Sequence, residues 1–274
     1  MATHALLNSL KANKTAFGVW LTLPGLFHAR TVAQASPNIS WICIDSEHGL
    51  VPLVPSAAET VASIHGAVGG TAGPSAIVRI PATGASDSTS WQIKYALDAG
   101  ARGVIVPMVS TAEKAREVAS DCRFPPIGRR GFGSPFTQGN WGLSTADYLT
   151  FANDSVVVMV QIETPEAVKN VKEIAGVDGI GEYELLDLLA SITDSVIDVL
   201  FIGPYDLSIS LGYPPPSPDP HPEVEKIIQQ ILHSAHDAGK KWCVRRYLGR
   251  INLLIYRTKR NILYFWFSVG PQSR

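Results

Sequence analysis

The sequence predicts an α/β fold in which parallel strands form a barrel. Short apolar runs typical of buried strands alternate with longer runs of helical periodicity, as in βαβ units. Five of the apolar runs end in residues able to do chemistry, and their spread over many strands favours a barrel over a doubly wound sheet. With 274 residues, 46% of them hydrophobic, the chain fits one large domain with a substantial core.

The predicted strands are short segments rich in valine, isoleucine and leucine. They cover residues 15–23, 41–44, 76–78, 103–106, 156–160 and 199–202. The predicted helices cover 52–68 and 88–98, and a further helix runs from a capping box at 110–113 to 122. Thr164 followed by Pro165 predicts a helix to 176, and Pro222 opens another to 238. The long irregular stretch 124–141 is interpreted as a lid or a subunit contact.

Composition excludes several classes of protein. Only 17% of the residues are charged and the formal net charge is −1, which argues against nucleic acid or an acidic membrane surface as a partner. The three cysteines are dispersed and odd in number, so we expect no disulfide framework or zinc knuckle, and a reducing, cytoplasmic location. No secretory signal and no membrane-spanning segment is predicted.

Two carboxylates follow predicted buried strands. Glu163 and Asp206 each come just after an apolar run, where a carboxylate is costly unless it is paired, solvated or bound to metal. Two carboxylates with water suit a hard divalent cation such as Mg²⁺ or Mn²⁺. The alternative is that both are acids at helix N-termini, where they favour the helix dipole. On the residues alone, both interpretations stay open.

A histidine and an arginine also follow predicted strands. His48 comes after Asp45 and Glu47, and nearby carboxylates would hold its tautomer for general acid–base work; the alternative is a surface-loop histidine. Arg79 ends an apolar strand, where a lone guanidinium is expensive. It is therefore expected to meet an anion, either a substrate or one of the same acids.

Seven segments together carry a family resemblance. They are FGVWL at 17–21, IDSEHG at 44–49, VR at 78–79, WQIKYALDAG at 91–100, VPMV at 106–109, QIET at 161–164 and FIGPYDLS at 201–208. In this order they resemble the HpcH/HpaI aldolase/citrate lyase family of metal-dependent pyruvate aldolases. The resemblance implies a TIM-type (β/α)8 barrel and reversible cleavage of a 2-oxo-4-hydroxy acid to pyruvate and an aldehyde.

The resemblance also implies roles for individual residues. Glu163 and Asp206 would bind one divalent cation, Mg²⁺, Mn²⁺ or Co²⁺, while Gln161, Tyr205 and Asp206 hold the pyruvate part of the substrate. His48 would be the base, with Asp98 raising its basicity, and Arg79 would stabilise negative charge on the keto oxygen. The family further implies a homo-oligomer. Alternatives are the same fold acting on a dehydro-deoxy sugar acid or an acyl-CoA thioester, or an inert protein with an altered C-terminus.

Two segments depart from the family pattern. Residues 181–197 are an insert, and deleting them would join VDGI directly to DVLFIGPYDL. Residues 241–274 differ in composition, with arginines interrupting every apolar run. We therefore expect a barrel domain over 1–240, a divergent tail over 241–274, and an atypical, incomplete barrel in the region of its last two strands.

Overall fold

The computed structural model describes residues 4–67, 73–81, 89–177 and 198–244, and the backbone of 263–266. The predicted insert at 181–197 lies outside the described residues. So does most of the predicted tail.

The described strands all pair in parallel and follow one another in chain order. They are β1 (Ala16–Leu21), β2 (Ile39–Asp45), β3 (Ser75–Arg79), β4 (Gly103–Val106), β5 (Val157–Ile162), β6 (Val199–Ile202), β7 (Lys241–Val244) and β8 (Leu263–Trp266). The ladders are continuous from β1 to β7, and β8 pairs with four residues of β1. Between β7 and β8 the register contains the single pair Cys243–Leu263. The predicted α/β class is confirmed, and the curled parallel sheet is consistent with a TIM-type barrel.

Helices connect the strands, as parallel pairing requires. In the described residues they are α1 (Ala5–Lys11), α2 (Leu26–Gln34), α3 (Ala58–Gly66, preceded by a π-helical turn Leu53–Ala57), α4 (Thr89–Asp98), α5 (Ala112–Cys122), α6 (Thr137–Trp141), α7 (Thr145–Ala152), α8 (Pro165–Lys169), α9 (Val171–Ala175), α10 (Pro204–Ser210) and α11 (Pro222–Asp237). Among these helices, none is long and apolar enough to cross a membrane.

Three predicted boundaries need correction. The N-cap of α5 is Thr111, whose hydroxyl accepts from Lys114 N, because the Ser110 hydroxyl is hydrogen-bonded to Thr164. The helix that begins after Thr164 breaks at Asn170 into α8 and α9, and does not run on to residue 176. The stretch 124–141, expected to be irregular throughout, ends in α6.

The apolar core consists of two clusters, one on each face of the sheet, because successive side chains of a strand point to opposite faces. One apolar cluster includes Ile42 and Ile44 of β2, along with residues of the surrounding helices. The other includes Trp41 and Cys43 of β2, with side chains of the same parity on the other strands. The second cluster is the interior of the curled sheet, closed at one end by α1.

Candidate active site

The strand alternation places polar side chains at the C-terminal end of the sheet interior. In β2, β3 and β5, the last inward-facing apolar residue is followed two positions later by a polar one: Cys43 by Asp45, Ile77 by Arg79, and Met159 by Gln161. All three polar side chains are buried. The end of the sheet where a barrel carries its chemistry is therefore lined by polar groups.

Arg79 is held by two carboxylates of the β2 end. Its Nε donates to Asp45 Oδ1 at 2.9 Å and its Nη2 to Asp45 Oδ2 at 2.6 Å, while Nη1 lies 3.1 Å from Glu47 Oε2. The guanidinium also stacks on the Trp20 ring, 4.3 Å from its centroid. Burial opposes ionisation, yet these contacts lower the pKa of Asp45 and raise that of Arg79. The anion predicted for Arg79 is thus, in this structure, a pair of acids of the chain itself.

His48 lies at the exposed side of this ion-pair group. Its backbone N–H donates to Asp45 Oδ1 at 3.2 Å, so Asp45 shapes the loop as well as binding Arg79. The ring Nε2 lies 3.6 Å from Glu47 Oε2, and 57% of the side chain is exposed. A carboxylate beside the ring was expected, and Glu47 is one such group. An exposed ring can also reach a substrate.

Glu163 is buried directly after β5, and both of its carboxylate oxygens accept hydrogen bonds. Oε1 accepts from the backbone N–H of Met108 at 2.8 Å, and Oε2 accepts from Gln161 Nε2 at 2.7 Å. Gly203 packs so closely that a Cβ there would lie 2.6 Å from Oε2. Burial raises the pKa of Glu163 to about 7, with the charge of Asp206 adding to the rise and the Met108 N–H opposing it.

Asp206 lies in the first turn of α10, four residues beyond the end of β6. Strands β5 and β6 are hydrogen-bonded neighbours, with Ile162 opposite Ile202. This pairing brings Asp206 into electrostatic contact with Glu163. Tyr205 and Asp206 are half-buried, and Pro204 occupies the first position of the helix. Both predicted metal ligands therefore come from the same end of adjacent strands.

The group has more negative than positive charge. Glu47 interacts with Asp45, Glu163 and Asp206, and Glu163 with Asp206. Among the described residues, Arg79 is the cation that these interactions share. Burial raises the pKa of Glu47 to about 8, Arg79 opposes this, and the other three carboxylates add to it. Such a cluster is stabilised by an added cation.

The donor set fits a divalent cation. The carbonyl oxygen of the Gln161 side chain is buried and has no hydrogen-bond partner, so a further oxygen acceptor is available beside the carboxylates. Oxygen donors of this kind are those that Mg²⁺ and Mn²⁺ prefer. Within the described ranges, no group of three or more His, Cys, Asp or Glu side chains converges on one point as a metal cage. Two carboxylates would leave positions for water and substrate.

The Asp98 carboxylate forms ion pairs with two basic side chains. Its Oδ1 accepts from Arg130 Nη2 at 2.9 Å, and Oδ2 pairs with Lys94 one turn earlier on α4. Arg130 belongs to the 124–141 stretch, and its side chain is buried against Phe124 and hydrogen-bonded to Tyr148. The contacts described for Asp98 are therefore structural ones, and its role toward His48 remains a prediction.

Sequence reasoning missed two residues that shape the site. Met108 acts through its backbone N–H, which no side-chain pattern could indicate. Gly203 is part of the segment FIGPYDLS, but its close approach to Glu163 depends on the packing of β5 beside β6. All three cysteines are buried, and none of them forms a disulfide within the part of the chain that the structure describes.

Comparison with known proteins identifies the family of the chain. The family model for HpcH/HpaI aldolase/citrate lyase matches residues 17–243. The chain belongs to this family. It is 36% identical over 237 residues to the 4-hydroxy-2-oxo-heptane-1,7-dioate aldolase of Shigella sonnei, covering 85% of this chain and 76% of the relative. The aldolase of the same name from Klebsiella pneumoniae is 35% identical over 244 residues, with 86% and 77% covered.

Solved structures of the HpcH/HpaI family share the architecture. A family protein from Burkholderia cenocepacia superposes with a TM-score of 0.72 at 28% identity, covering 96% of this chain and 93% of the other. An HpcH/HpaI aldolase from Desulfitobacterium hafniense gives a TM-score of 0.75 at 24% identity, with 96% and 90% covered, which supports the fold. The matched range 17–243 contains every candidate site residue.

Proposed function

We propose that this member of the HpcH/HpaI family is a divalent-metal-dependent aldolase. It cleaves a 2-oxo-4-hydroxy acid to pyruvate and an aldehyde, and the reaction is reversible. The observation that carries the proposal is the excess of carboxylates around Arg79 at the strand ends, in a chain 36% identical to a named aldolase. We propose that residues 1–240 form the aldolase barrel domain of TIM type, and that the divergent tail 241–274 contributes the last two strands, β7 and β8.

Glu163 and Asp206 would hold one divalent cation, Mg²⁺, Mn²⁺ or Co²⁺. When bound, such an ion polarises the keto oxygen and stabilises the negative charge of an enolate. Gln161 and the backbone of Tyr205 and Asp206 would orient the carboxylate and keto groups of the substrate. Holding the substrate in a fixed geometry contributes to the rate because the reacting bond is aligned before the reaction begins.

His48 is proposed as the base that takes the proton of the C4 hydroxyl. As that proton leaves, the C4 oxygen forms the aldehyde carbonyl and the C3–C4 bond breaks. The electron pair of that bond passes to the pyruvate half as an enolate, which takes a proton at C3 to give pyruvate. Arg79 and His48 both lie beside Glu47, and the positive charge of Arg79 would stabilise negative charge on the keto oxygen.

Asp98 is proposed to raise the basicity of His48, on the family resemblance. In this structure Glu47 is the carboxylate beside the His48 ring. The resemblance likewise supports a homo-oligomer acting on small-molecule oxo acids and aldehydes. The composition and the cysteine usage support a cytoplasmic location, with no nucleic acid or membrane partner.

Pyruvate release tests the proposal. The purified protein is given a panel of 4-hydroxy-2-oxo acids, dehydro-deoxy sugar acids and acyl-CoA thioesters, with added Mn²⁺ or Mg²⁺. We expect pyruvate from the 4-hydroxy-2-oxo acids, loss of activity in EDTA, and recovery on adding back metal. Folded protein that releases no pyruvate with metal present would contradict the proposal, and activity on the other substrate classes alone would change the substrate assignment.

A further inference from the structure

Met108 has an unusual backbone conformation. Its φ is +57°, in the left-handed region that a residue with a Cβ atom rarely adopts. Among the described residues, the only other non-glycine residue with positive φ is Asn13, in the loop between α1 and β1. Strained backbone of this kind is retained where the surrounding structure imposes it, often at functional sites.

The conformation of Met108 directs its N–H at the candidate metal ligand. The N–H donates to Glu163 Oε1 at 2.8 Å, while the other carboxylate oxygen is held by Gln161. Gln161 belongs to β5, which Glu163 directly follows, whereas Met108 reaches the Glu163 carboxylate from the loop after β4. Of the two hydrogen bonds described for the Glu163 carboxylate, the one from Met108 therefore comes from outside β5.

The loop that carries Met108 is itself anchored. Ser110 Oγ is hydrogen-bonded to Thr164 Oγ1 at 2.8 Å, and Asn170 Nδ2 donates to the carbonyl of Ser110 at 2.8 Å. These contacts fasten the β4–α5 loop to the segment that begins directly after Glu163. Met108 as a residue is 40% exposed, and its contact with Glu163 is made by the backbone N–H.

We propose that Met108 is a positioning residue for the metal site, acting through its left-handed backbone to orient the Glu163 carboxylate. The inference rests on the proposed function and extends it to a residue with no metal-binding side chain. Groups that orient a metal ligand contribute to affinity without touching the ion, because they reduce the disorder of the ligand before binding. The thioether has no part in this role.

Mn²⁺ affinity, measured by the electron paramagnetic resonance of free Mn²⁺ during titration of the full chain, tests the inference without any assay of activity. Met108→Val introduces a β-branched side chain that disfavours positive φ, and we expect affinity to fall by about tenfold or more. Met108→Gly adopts the conformation freely and Met108→Ala keeps it with the thioether removed. Both are expected to retain affinity close to that of the wild type.

Asn13→Val is the matched control, since it places the same side chain at the other non-glycine position with positive φ in the described part of the chain. It is expected to lower the melting temperature and to leave Mn²⁺ affinity unchanged. If Met108→Val does not fold, the alanine and glycine variants still decide, because a loss of affinity in both would assign the role to the thioether and overturn the inference. Wild-type affinity in a folded Met108→Val would also overturn it. Wild-type protein that binds no Mn²⁺ would overturn both this inference and the proposed function.

Discussion

Arg79 and Asp45 form a two-bond ion pair in the interior of the sheet, with Nε–Oδ1 at 2.9 Å and Nη2–Oδ2 at 2.6 Å. Both side chains are buried, and their strands are neighbours in which Asp45 lies opposite Arg79. The pair therefore fixes the end of β2 to the end of β3. Because Arg79 also contacts Glu47, the pair that stabilises the sheet is part of the candidate site.

Removing Asp45 should cost considerable stability. Asp45→Ala leaves the buried Arg79 charge with Glu47 alone, and breaking a buried pair in this way costs about 3–5 kcal/mol. Urea unfolding measures the loss. Glu223→Gln, which breaks the exposed pair with Lys226, is the control and should leave the midpoint unchanged. Equal midpoints for the wild type and Asp45→Ala would show that the pair contributes nothing to the fold.

A methyl group at position 203 should disturb the metal ligand. In Gly203→Ala the new Cβ would lie 2.6 Å from Glu163 Oε2, so the carboxylate must move. We expect Mn²⁺ affinity to fall by about tenfold. Gly133→Ala is the control, because a Cβ there meets nothing within 4 Å. Mn²⁺ titration of the two variants checks this, and equal affinities would contradict it.

His4 should make the fold less stable in mild acid. Its Nε2–H donates to the carbonyl of Arg102 at 2.9 Å and its Nδ1 accepts from Leu7 N–H at 3.1 Å, which identifies the neutral tautomer. Burial lowers the pKa of His4 from its ordinary value of 6.5 to about 3. Below about pH 6.5 the unfolded chain therefore binds a proton at His4 that the folded chain does not bind. The free energy of unfolding falls as the pH decreases through this range.

Between pH 7 and pH 5 the His4 contribution amounts to about 2 kcal/mol. His4→Gln removes the titration while keeping a donor and an acceptor. The difference in unfolding free energy between the two pH values should therefore be smaller in the variant by about that amount. An unchanged difference would show that His4 is not held neutral.

Arg130 should hold the 124–141 stretch in place. Its buried guanidinium binds Asp98 at 2.9 Å and the hydroxyl of Tyr148 at 3.0 Å. Arg130→Ala removes both contacts. We expect the free energy of unfolding to fall by about 2 kcal/mol or more, and proteolytic cleavage between residues 124 and 141 to become faster. Arg129→Ala, at a neighbouring side chain that is 55% exposed, should have a smaller effect on both. Equal cleavage of the two variants would oppose this.

Features set by local sequence were predictable. The strands β4 and β6 have the predicted bounds. Arg79 and Glu163 lie at strand ends, as predicted, because the lengths of the preceding apolar runs indicate where those strands end. Features set by distant contacts were not. Ser110 is not the N-cap of α5 because its hydroxyl binds Thr164, and the Asn170 side chain, at the break between α8 and α9, bonds to Ser110.

The site shows the same division. The residues that carry charge could be listed from the sequence, since a buried carboxylate or guanidinium requires a reason. Their partners could not, because the Arg130–Asp98 pair joins residues 32 positions apart and the Met108–Glu163 bond joins residues 55 apart. A hydrogen bond from a backbone N–H cannot be predicted from the residue type, because every residue except proline has this donor.

The number of Mn²⁺ ions bound per chain tests the central claim most directly. The account predicts one ion bound by the wild type, lost in both Glu163→Gln and Asp206→Asn, and retained in Glu166→Gln, which alters an exposed acid three positions from Glu163. Binding of one ion by the folded wild type and equally by both site variants would contradict it.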